Sequence, residues 1–478
     1  MVFSSIVFLF YFLPLFLAAF FLSGFNKSVL LIFSLVFYAW GEPIFLPLIL
    51  VMIVLNFWLG QKIEGTEHPA HARNWLIFGL VGNLIPLVVF KYGIFLIHFL
   101  LSIVGPAISR LTGLSAEQFV AHTIPLPLGI SFYTFHSLSY LIDVYRKDVR
   151  AERSLRDLAV YISMFPQLIA GPIIRYKTIS GEIHKPVIST ERSALGIRYF
   201  IIGLSQKVLI ANTVAASADS IFALPIDQLS SPLAWLGIVC YTLQIYFDFG
   251  GYSNMAIGLG LMIGFRFPIN FNYPYVSSSM TEFWKRWHIS LSSWFRDYLY
   301  VPLGGNRISS ARTYFNLWTV FLLCGLWHGA AWNFLFWGAA HGGLLVAERA
   351  GFSNILQRMP SVLRHVYVLL SVMATWVLFR ADTLTAALKY YGALVGLGAD
   401  NVAAPPVHRF LGIDVVMALA IGIFASGPVA NRLMLRAGSG LVIKNVNVGS
   451  AVALVLLLGL TTLSLAGGAY NPFIYFRF

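Results

Sequence analysis

Two histidines and an asparagine lie where a polar side chain is least expected. The strongly apolar run 314–347 contains His328, Asn333 and His341. Polar groups at membrane depth are costly, and they usually face the interior of a helical bundle or a water-filled cavity. An imidazole there can take a proton from a hydroxyl or thiol near neutral pH. The run therefore predicts general-base chemistry, and the alternative is a histidine that only binds a backbone carbonyl.

Small residues surround the first of these histidines. Gly325, Gly329 and Ala330 allow close backbone approach, which would leave a narrow channel beside His328. One straight helix would place His328 and His341 on different faces. We therefore expect no metal site shared by these two histidines.

Another histidine, His288, lies in the polar segment 265–312, which carries six basic residues and two acids. One helix over 282–300 would place Lys285, His288, Ser292 and Arg296 on a cationic face, with Thr281 as its N-cap. The aromatic face would comprise Trp284, Trp287, Leu291, Trp294, Phe295 and Tyr298. Two interpretations remain open: a helix at the membrane interface, or a helix that presents His288 to a wet cavity.

The composition identifies the class of scaffold that must position these side chains. Of 478 residues, 58% are hydrophobic and 11% are charged, whereas soluble domains have about 25% charged residues. These values exclude an ordinary soluble protein and a disordered one. The apolar runs are continuous and longer than the roughly 10-residue strands of a membrane barrel. The sequence predicts an all-α, polytopic membrane bundle.

Apolar runs of suitable length predict about 11–13 membrane helices, some of them short or re-entrant. The runs are 5–23, 28–59, 75–101, 124–143, 158–174, 195–224, 232–264, 314–347, 365–379, 384–398, 409–431 and 446–468. Long runs should break at Gly41 and Pro43 and at Gly250-Gly251. No polar connection reaches the roughly 50 residues of a small domain. We therefore expect one transmembrane domain over 1–478.

The charge balance supports a membrane location. The 32 basic and 19 acidic residues give a formal charge of +13. Basic clusters at 146–156, 175–185 and 432–444 indicate cytoplasmic loops and contacts with anionic lipids, rather than nucleic-acid binding. Cys240 and Cys324 lie in apolar runs and are expected to be packing residues. The N-terminal run lacks a basic leader and is interpreted as a retained first span.

Several long motifs resemble the membrane-bound O-acyltransferase superfamily, nearly from end to end. The motifs are MVFSSIVFLFYFLPLF at the start, PLGISFYTFHSLSYLIDVYR at 127–146, FPQLIAGPIIRY at 165–176, LQIYFDFGGYSNMAIGLGLMIGFRFPINFNYPY at 243–275, FWKRWHISLSSWFRDYLYVPLGGNR at 283–307, GLWHGAAWNFLFWGAAHG at 325–342 and NPFIYFRF at the terminus. Asn254 departs from the resemblance, which leads us to expect an acid there.

The resemblance implies a helical bundle around a funnel or tunnel, in which an acyl group passes from a thioester to a hydroxyl. It implies that His328 is the catalytic base and that His288 lies near it. His288 or Asn333 would donate hydrogen bonds to the oxyanion. Further candidate tunnel residues are Asn333, Trp327, Asp248, Lys285, Arg296 and His341.

The resemblance is nearest to the branch that acetylates alginate-type exopolysaccharides in the bacterial inner membrane. It implies an acetyl thioester donor, acetyl-CoA or an acyl carrier, with no bound cofactor. Periplasmic acetyltransferase partners would receive the acetyl group, and membrane lipids would surround the chain. Three alternatives stay open: a polysaccharide or lipid transporter or flippase, a D-alanyl transferase of teichoic acid, and a structural component of an export complex.

Overall fold

A computed structural model describes residues 1–112, 125–398, 404–428, 448–468 and 470–474, with the side chains of 105–112 left out. Within these ranges all regular secondary structure is helical. The all-α prediction is therefore confirmed. The basic cluster predicted at 432–444 lies outside the described residues.

The helices divide into three consecutive groups along the chain. The first group is α1 (Leu13–Leu22), α2 (Lys27–Gly41), α3 (Leu46–Glu64), α4 (Pro69–Leu87), α5 (Gly93–Thr112) and α6 (Ile130–Tyr145). The second is α7 (Leu155–Ser163), α8 (Phe165–Leu168), α9 (Tyr176–His184), α10 (Thr190–Ser205), α11 (Asn212–Phe222) and α12 (Ser231–Met262). The third is α13 (Met280–Arg286), α14 (Ile289–Phe295), α15 (Ser310–His328), α16 (Trp332–Ala347), α17 (Ser353–Arg358), α18 (Ser361–Arg380), α19 (Leu384–Leu394), α20 (Ile413–Ala425) and α21 (Val448–Ala466).

Wider, π-helical turns occur within several of these helices. They are Phe8–Phe12, Val88–Tyr92, Gln206–Ala211, Arg296–Tyr300 and Glu348–Phe352. Two of them matter for the site: Val88–Tyr92 joins α4 to α5, and Gln206–Ala211 joins α10 to α11. Such turns are rare and are frequently found at functional sites.

Six of the helices in the described ranges are long and apolar enough to cross a membrane. They are Pro43–Glu64, Pro69–Val104, Thr190–Phe222, Ser231–Met262, Ser361–Arg380 and Val448–Ala466. Shorter apolar helices are Phe8–Leu22, Lys27–Gly41 and Ile413–Ala425. The chain is therefore a multi-pass helical membrane protein, as predicted.

One of the two expected helix breaks is confirmed and the other is wrong. Helix α2 ends at Gly41, before Pro43, but α12 continues through Gly250 and Gly251 without a break. The glycines serve close packing instead. A Cβ added to Gly251 would lie 2.6 Å from the carbonyl oxygen of Gly203 on α10, too close for any side chain.

The run 158–174 also differs from the prediction, because it does not form one spanning helix. It lies in the short helices α7 and α8, which are buried from Asp157 to Leu168. Met164 has a non-helical backbone between them, and Pro166 lies in the first turn of the second helix. The segment lies inside the bundle rather than across it.

The single helix predicted over 282–300 is wrong. Helix α13 ends at Arg286, and His288 takes a left-handed backbone with φ +42° before α14 begins. The N-cap of α13 is Ser279, whose hydroxyl accepts from Glu282 N–H, rather than Thr281. The residues of the predicted aromatic face are buried, and His288 is buried with them at 1% exposure. It therefore does not share the exposed cationic face of Lys285.

The run 314–347 forms two helices, so the argument from one straight helix does not hold. Helix α15 ends at His328, an extended stretch follows, and α16 begins at Trp332. The two helices touch where a Cβ on Gly325 would lie 2.3 Å from the carbonyl oxygen of Phe334. The reversal brings His341 back toward His328. Buried, unpaired Cys240 and Cys324 match the predicted packing role.

Candidate active site

The bundle has two chemically different ends. Glu64 at the end of α3 pairs with Arg153 at 2.6 Å, so this end carries the basic loop 146–156. Helix α4 starts nearby at Pro69, and Lys91 lies about 33 Å further along the helix, roughly the thickness of the hydrocarbon layer. We call these the basic end and the far end. Lys- and Arg-rich loops are typical of the cytoplasmic side.

His288 and His328 come from separate segments and line one small cavity of about 10 Å³. A cavity of this size holds about one water molecule. Its other walls are Ile245, Phe249, Trp287, Trp337, Trp376, Phe379 and Ile474. We call this cavity the constriction. The arrangement brings together the two histidines that the resemblance predicted to be neighbours.

His328 is the last residue of α15 and is 7% exposed. Its ring packs edge-on against Trp337 and Phe379, each at 5.0 Å between ring centroids. Its Nδ1 has no hydrogen-bond partner within the described part of the chain. The imidazole is therefore held by aromatic packing, and this nitrogen is not used in a structural hydrogen bond.

His288 is held by its own backbone geometry. It is the N-cap of α14, and its Nδ1 accepts the backbone N–H of Leu291 at 3.4 Å. The ring packs against Phe249 at 4.6 Å and lies 6.2 Å from the ring of Trp327. The break in the helix thus turns His288 away from solvent and into the constriction.

His341 has a different environment. It is fully buried on α16, and its Nδ1 accepts a hydrogen bond from the indole N–H of Trp284 at 3.3 Å. Trp337 contacts both His341 and His328, at 4.7 Å and 5.0 Å. The hydrogen-bond partner of His341 is therefore an indole. The alternative interpretation from the sequence gave a backbone carbonyl as the partner. His341 supports the wall of the constriction through Trp337.

Two further predicted residues, Trp327 and Asn333, are not among the residues that line the constriction and instead line larger cavities. Trp327 stacks on Phe135 at 5.4 Å. Asn333 is buried, and its amide group donates to the carbonyls of Leu378 and Ala381, so it anchors the end of α18.

Asp248 lies in a separate buried polar centre. Its carboxylate pairs with Lys207 at 2.7 Å, and both side chains are at most 3% exposed. The same carboxylate accepts the backbone N–H of Ile474 at 2.8 Å. Lys207 also donates to Asn212 and to the carbonyl of Pro472. This centre therefore holds residues 471–474 against the bundle, and sequence reasoning missed its lysine.

A cavity of about 630 Å³ opens at the basic end. Lys285, Arg296 and Arg349 are exposed at its edge. Apolar side chains, among them Trp284 and Phe321, line its interior. Lys285 and Arg296 were predicted from the sequence, and Arg349 was not.

The carboxylate beside this cavity is well stabilised. Asp297 bonds Arg296 and Arg175, each at 2.6 Å. Burial opposes the charge of Asp297, but these hydrogen bonds and charges outweigh it and hold its pKa below the ordinary value. Asp297 therefore stays ionised and fixes Arg296 at the edge of the cavity.

Two cavities of about 380 Å³ each lie at the far end, and both are lined by Lys91 and Leu126. The first also reaches His328, and the second reaches Asn333 and Arg380. Sequence reasoning missed Lys91, although it lies in the apolar run 75–101. The rule that singled out His328, a polar side chain at membrane depth, would have found it.

Comparisons with known proteins agree with the motifs. Residues 146–385, which include both His288 and His328, match the sequence profile of the membrane-bound O-acyltransferase family. The chain is 42% identical to the probable alginate O-acetylase AlgI of Azotobacter vinelandii, over all of both chains. It is 48% identical to the protein of that name in Pseudomonas aeruginosa, covering 83% of this chain and 75% of the relative. A peptidoglycan O-acetyltransferase of Helicobacter pylori is 36% identical, covering 84% and 81%.

Proposed function

The chain belongs to the membrane-bound O-acyltransferase family, and we propose that it takes an acetyl group from a cytoplasmic thioester and passes it across the bacterial inner membrane for O-acetylation of an alginate-type exopolysaccharide. Its class, a multi-pass membrane O-acyltransferase, is the one that the sequence motifs predicted. The acetyl group, its direction of travel and its final acceptor are the proposed part.

The observation that carries this proposal is the meeting of His288 and His328 at the constriction. Larger cavities lie on both sides of the bundle, at the basic end and at the far end. A base between two chambers suits a reaction whose donor and acceptor approach from opposite sides. The aromatic walls leave room for about one water molecule, which limits water as a competing nucleophile.

The proposed reaction is a general-base acyl transfer. His328 removes the proton from the acceptor hydroxyl while that oxygen forms a bond to the thioester carbonyl carbon. The tetrahedral oxyanion then collapses, the carbon–sulfur bond breaks, and the imidazolium returns the proton to the leaving thiolate. Asn333 has its amide hydrogens bound to carbonyl groups, so His288 is the better candidate for the oxyanion donor.

The cavity at the basic end is the proposed entrance for the donor. Acetyl-CoA and acyl carriers both present the thioester on a phosphorylated arm. Lys285, Arg296 and Arg349 suit the phosphate, because charge-assisted hydrogen bonds to phosphate are strong. The apolar interior of the cavity suits the uncharged remainder of the phosphorylated arm. The donor is a substrate, and no resident cofactor is needed.

The acceptor is proposed to arrive at the far end, where one cavity reaches His328. The alginate-type assignment derives from the names of the relatives in Azotobacter and Pseudomonas. Periplasmic acetyltransferase partners would then complete the transfer to the polysaccharide.

The test is donor-dependent thiol release by the full-length protein in detergent with acetyl-CoA, comparing wild type with His328→Ala. His98→Ala is the matched control, because His98 is exposed on α5 and lines neither the constriction nor the cavities at the two ends. We expect release by wild type and the control, and loss in folded His328→Ala. Equal release by all three would refute the role of His328. A wild type without release would be retested with an acetylated carrier and the periplasmic partners, and failure there would refute the acetyl reaction.

The same assay separates the alternatives. A transporter or flippase would move its substrate with no acyl donor and release no thiol. A structural component would keep its function in histidine variants that still assemble. A D-alanyl transferase would release thiol from a D-alanyl carrier and not from an acetyl donor.

A further inference from the structure

The end of α15 carries backbone groups that need partners. The last four carbonyls of an α-helix have no N–H partner within the helix, and α15 ends at His328 itself. Tyr92 donates its hydroxyl to the carbonyl of Leu326 at 2.8 Å, and the ammonium group of Lys91 donates to the carbonyl of Trp327. The two residues directly before His328 are therefore held by side chains of another helix.

These two side chains come from the π-helical turn Val88–Tyr92. The turn interrupts a helix that is otherwise long and apolar enough to span the membrane. Lys91 and Tyr92 are adjacent in sequence, and they bind adjacent carbonyls of α15. One π-helical turn thus supplies both hydrogen bonds, and turns of this kind are often found at functional sites.

Lys91 differs from an ordinary capping side chain because it carries a charge within a membrane span. Tyr92 shows that a neutral hydroxyl can satisfy the neighbouring carbonyl, whereas a lysine in a span is costly and usually has a counter-ion. Within the described residues Lys91 makes no ion pair; its other polar contact is Ser131 Oγ at 3.4 Å. Its ammonium group also lies 5.7 Å from the ring of Trp327. Lys91 therefore contacts Trp327 through both the backbone and the ring.

We propose that Lys91 is a positioning residue for His328, and this inference rests on the proposed role of His328 as the base. By fixing the carbonyl and the ring of Trp327, Lys91 sets the direction in which the His328 imidazole leaves the end of α15. Both residues line the same far-end cavity, so the contact fixes the base relative to the chamber of the acceptor. Displacing a reacting group by about 1 Å can cost about 100-fold in rate.

Two variants of Lys91 separate positioning from charge. Lys91→Met keeps the length and removes both the donor and the charge, and Lys91→Gln keeps an N–H donor without the charge. With acetyl-CoA as the probe and full-length protein in detergent, we expect Lys91→Met to lower kcat about 10- to 100-fold. The KM for acetyl-CoA should stay within about twofold, because the donor enters at the other end of the bundle. Lys91→Gln should recover most of the lost rate.

The matched control is Tyr92→Phe, which removes only the neighbouring cap. We expect its kcat to fall by less than about fivefold, the value of one hydrogen bond of about 1 kcal/mol. Rates are expressed per folded molecule, measured by size exclusion and thermal unfolding. A purely structural role for Lys91 would change the amount of folded protein and leave kcat unchanged.

Three outcomes would overturn the inference. They are a folded Lys91→Met with wild-type kcat, a folded Lys91→Gln that is as slow as Lys91→Met, and a larger loss in Tyr92→Phe than in Lys91→Met. The proposed function fails separately. An active wild type, an inactive His328→Ala and a normal Lys91→Met would refute the positioning role alone, whereas an active His328→Ala would refute both.

Discussion

Lys91 and Lys207 each lie on a π-helical turn within a membrane-spanning helix, and their partners differ. Lys207 pairs with Asp248 at 2.7 Å and also binds Asn212 and the carbonyl of Pro472. Lys91 binds the carbonyl of Trp327 and faces the two far-end cavities. One charge is neutralised by a carboxylate, and the other has no acid partner within the described residues.

The difference teaches how to interpret a charge at membrane depth. An ion pair with full hydrogen bonding is a structural solution, since its removal leaves the partner buried and unpaired. Lys91 has no counter-ion within the described residues and lines a cavity next to the candidate base. Losing such a charge should lower activity more than stability. Stability should depend on Lys207, and activity on Lys91.

The largest effect is expected when the ion pair is broken. Lys207→Met leaves the carboxylate of Asp248 buried without its partner, which costs about 3–5 kcal/mol in comparable cases. We expect a marked loss of folded protein, measured by thermal unfolding and by size exclusion in detergent.

A second substitution tests whether the buried charge is the cause. Combining Lys207→Met with Asp248→Asn removes both charges and should recover part of the lost stability. If the double variant is no more stable than Lys207→Met, the pair is not what stabilises this region, and the contrast with Lys91 is lost.

Removing Lys91 should affect stability much less. Lys91→Met loses one strong hydrogen bond to a carbonyl, which corresponds to about 1–2 kcal/mol. The unfolding temperature should therefore fall less in Lys91→Met than in Lys207→Met. The kcat per folded molecule should fall more in Lys91→Met than in Lys207→Met. Equal destabilisation by the two variants would make both lysines structural.

Exposed cations form a third class, with a smaller effect expected. Lys285→Ala at the basic-end cavity should raise the KM for acetyl-CoA about two- to fivefold, as for an exposed ionic contact of about 0.5–1 kcal/mol. The effect should shrink at high salt because solvent ions screen exposed charges. Arg358→Ala is the control, since Arg358 is exposed on α17 and does not line this cavity. An equal rise in KM for Arg358→Ala would indicate a general surface charge effect.

The smallest effect is expected at Ser131. Its hydroxyl lies 3.4 Å from the Lys91 ammonium, near the limit for a hydrogen bond. Ser131→Ala should lower kcat by less than about threefold, because the contact with the Trp327 carbonyl remains. A loss as large as that of Lys91→Met would show that Ser131, rather than Trp327, is the partner that matters.

Much of the fold could be predicted from composition and apolar run length. The break at Gly41 and Pro43 followed from local chemistry, because proline cannot continue the helix. The unbroken passage through Gly251 did not, because the glycine meets Gly203 on α10, and only the tertiary structure shows that contact. The break at His288 was missed for a similar reason. Helical periodicity describes one straight segment, and a left-handed residue within it changes every face that follows.

The candidate site could be predicted in part. The resemblance placed His288 and His328 together, and the structure has both at one cavity. Asp248 pairs with Lys207 and accepts the backbone N–H of Ile474, which lines the constriction, and its place in a tunnel stays a prediction. Arg349 was missed because a cation in a sequence does not show its neighbours, whereas Lys91 could have been found as a charged residue within an apolar run.

The narrowness of the constriction has a consequence for the energetics of the cell. Its described walls are mostly aromatic and enclose about 10 Å³, which is the space of about one water molecule. A hydrated sodium or potassium ion would have to shed its shell among these rings, with no row of oxygen atoms to replace it. In the proposed reaction the acetyl group is handed past this constriction, so acetylation outside the cell would open no path for ions and the membrane would keep its electrical potential.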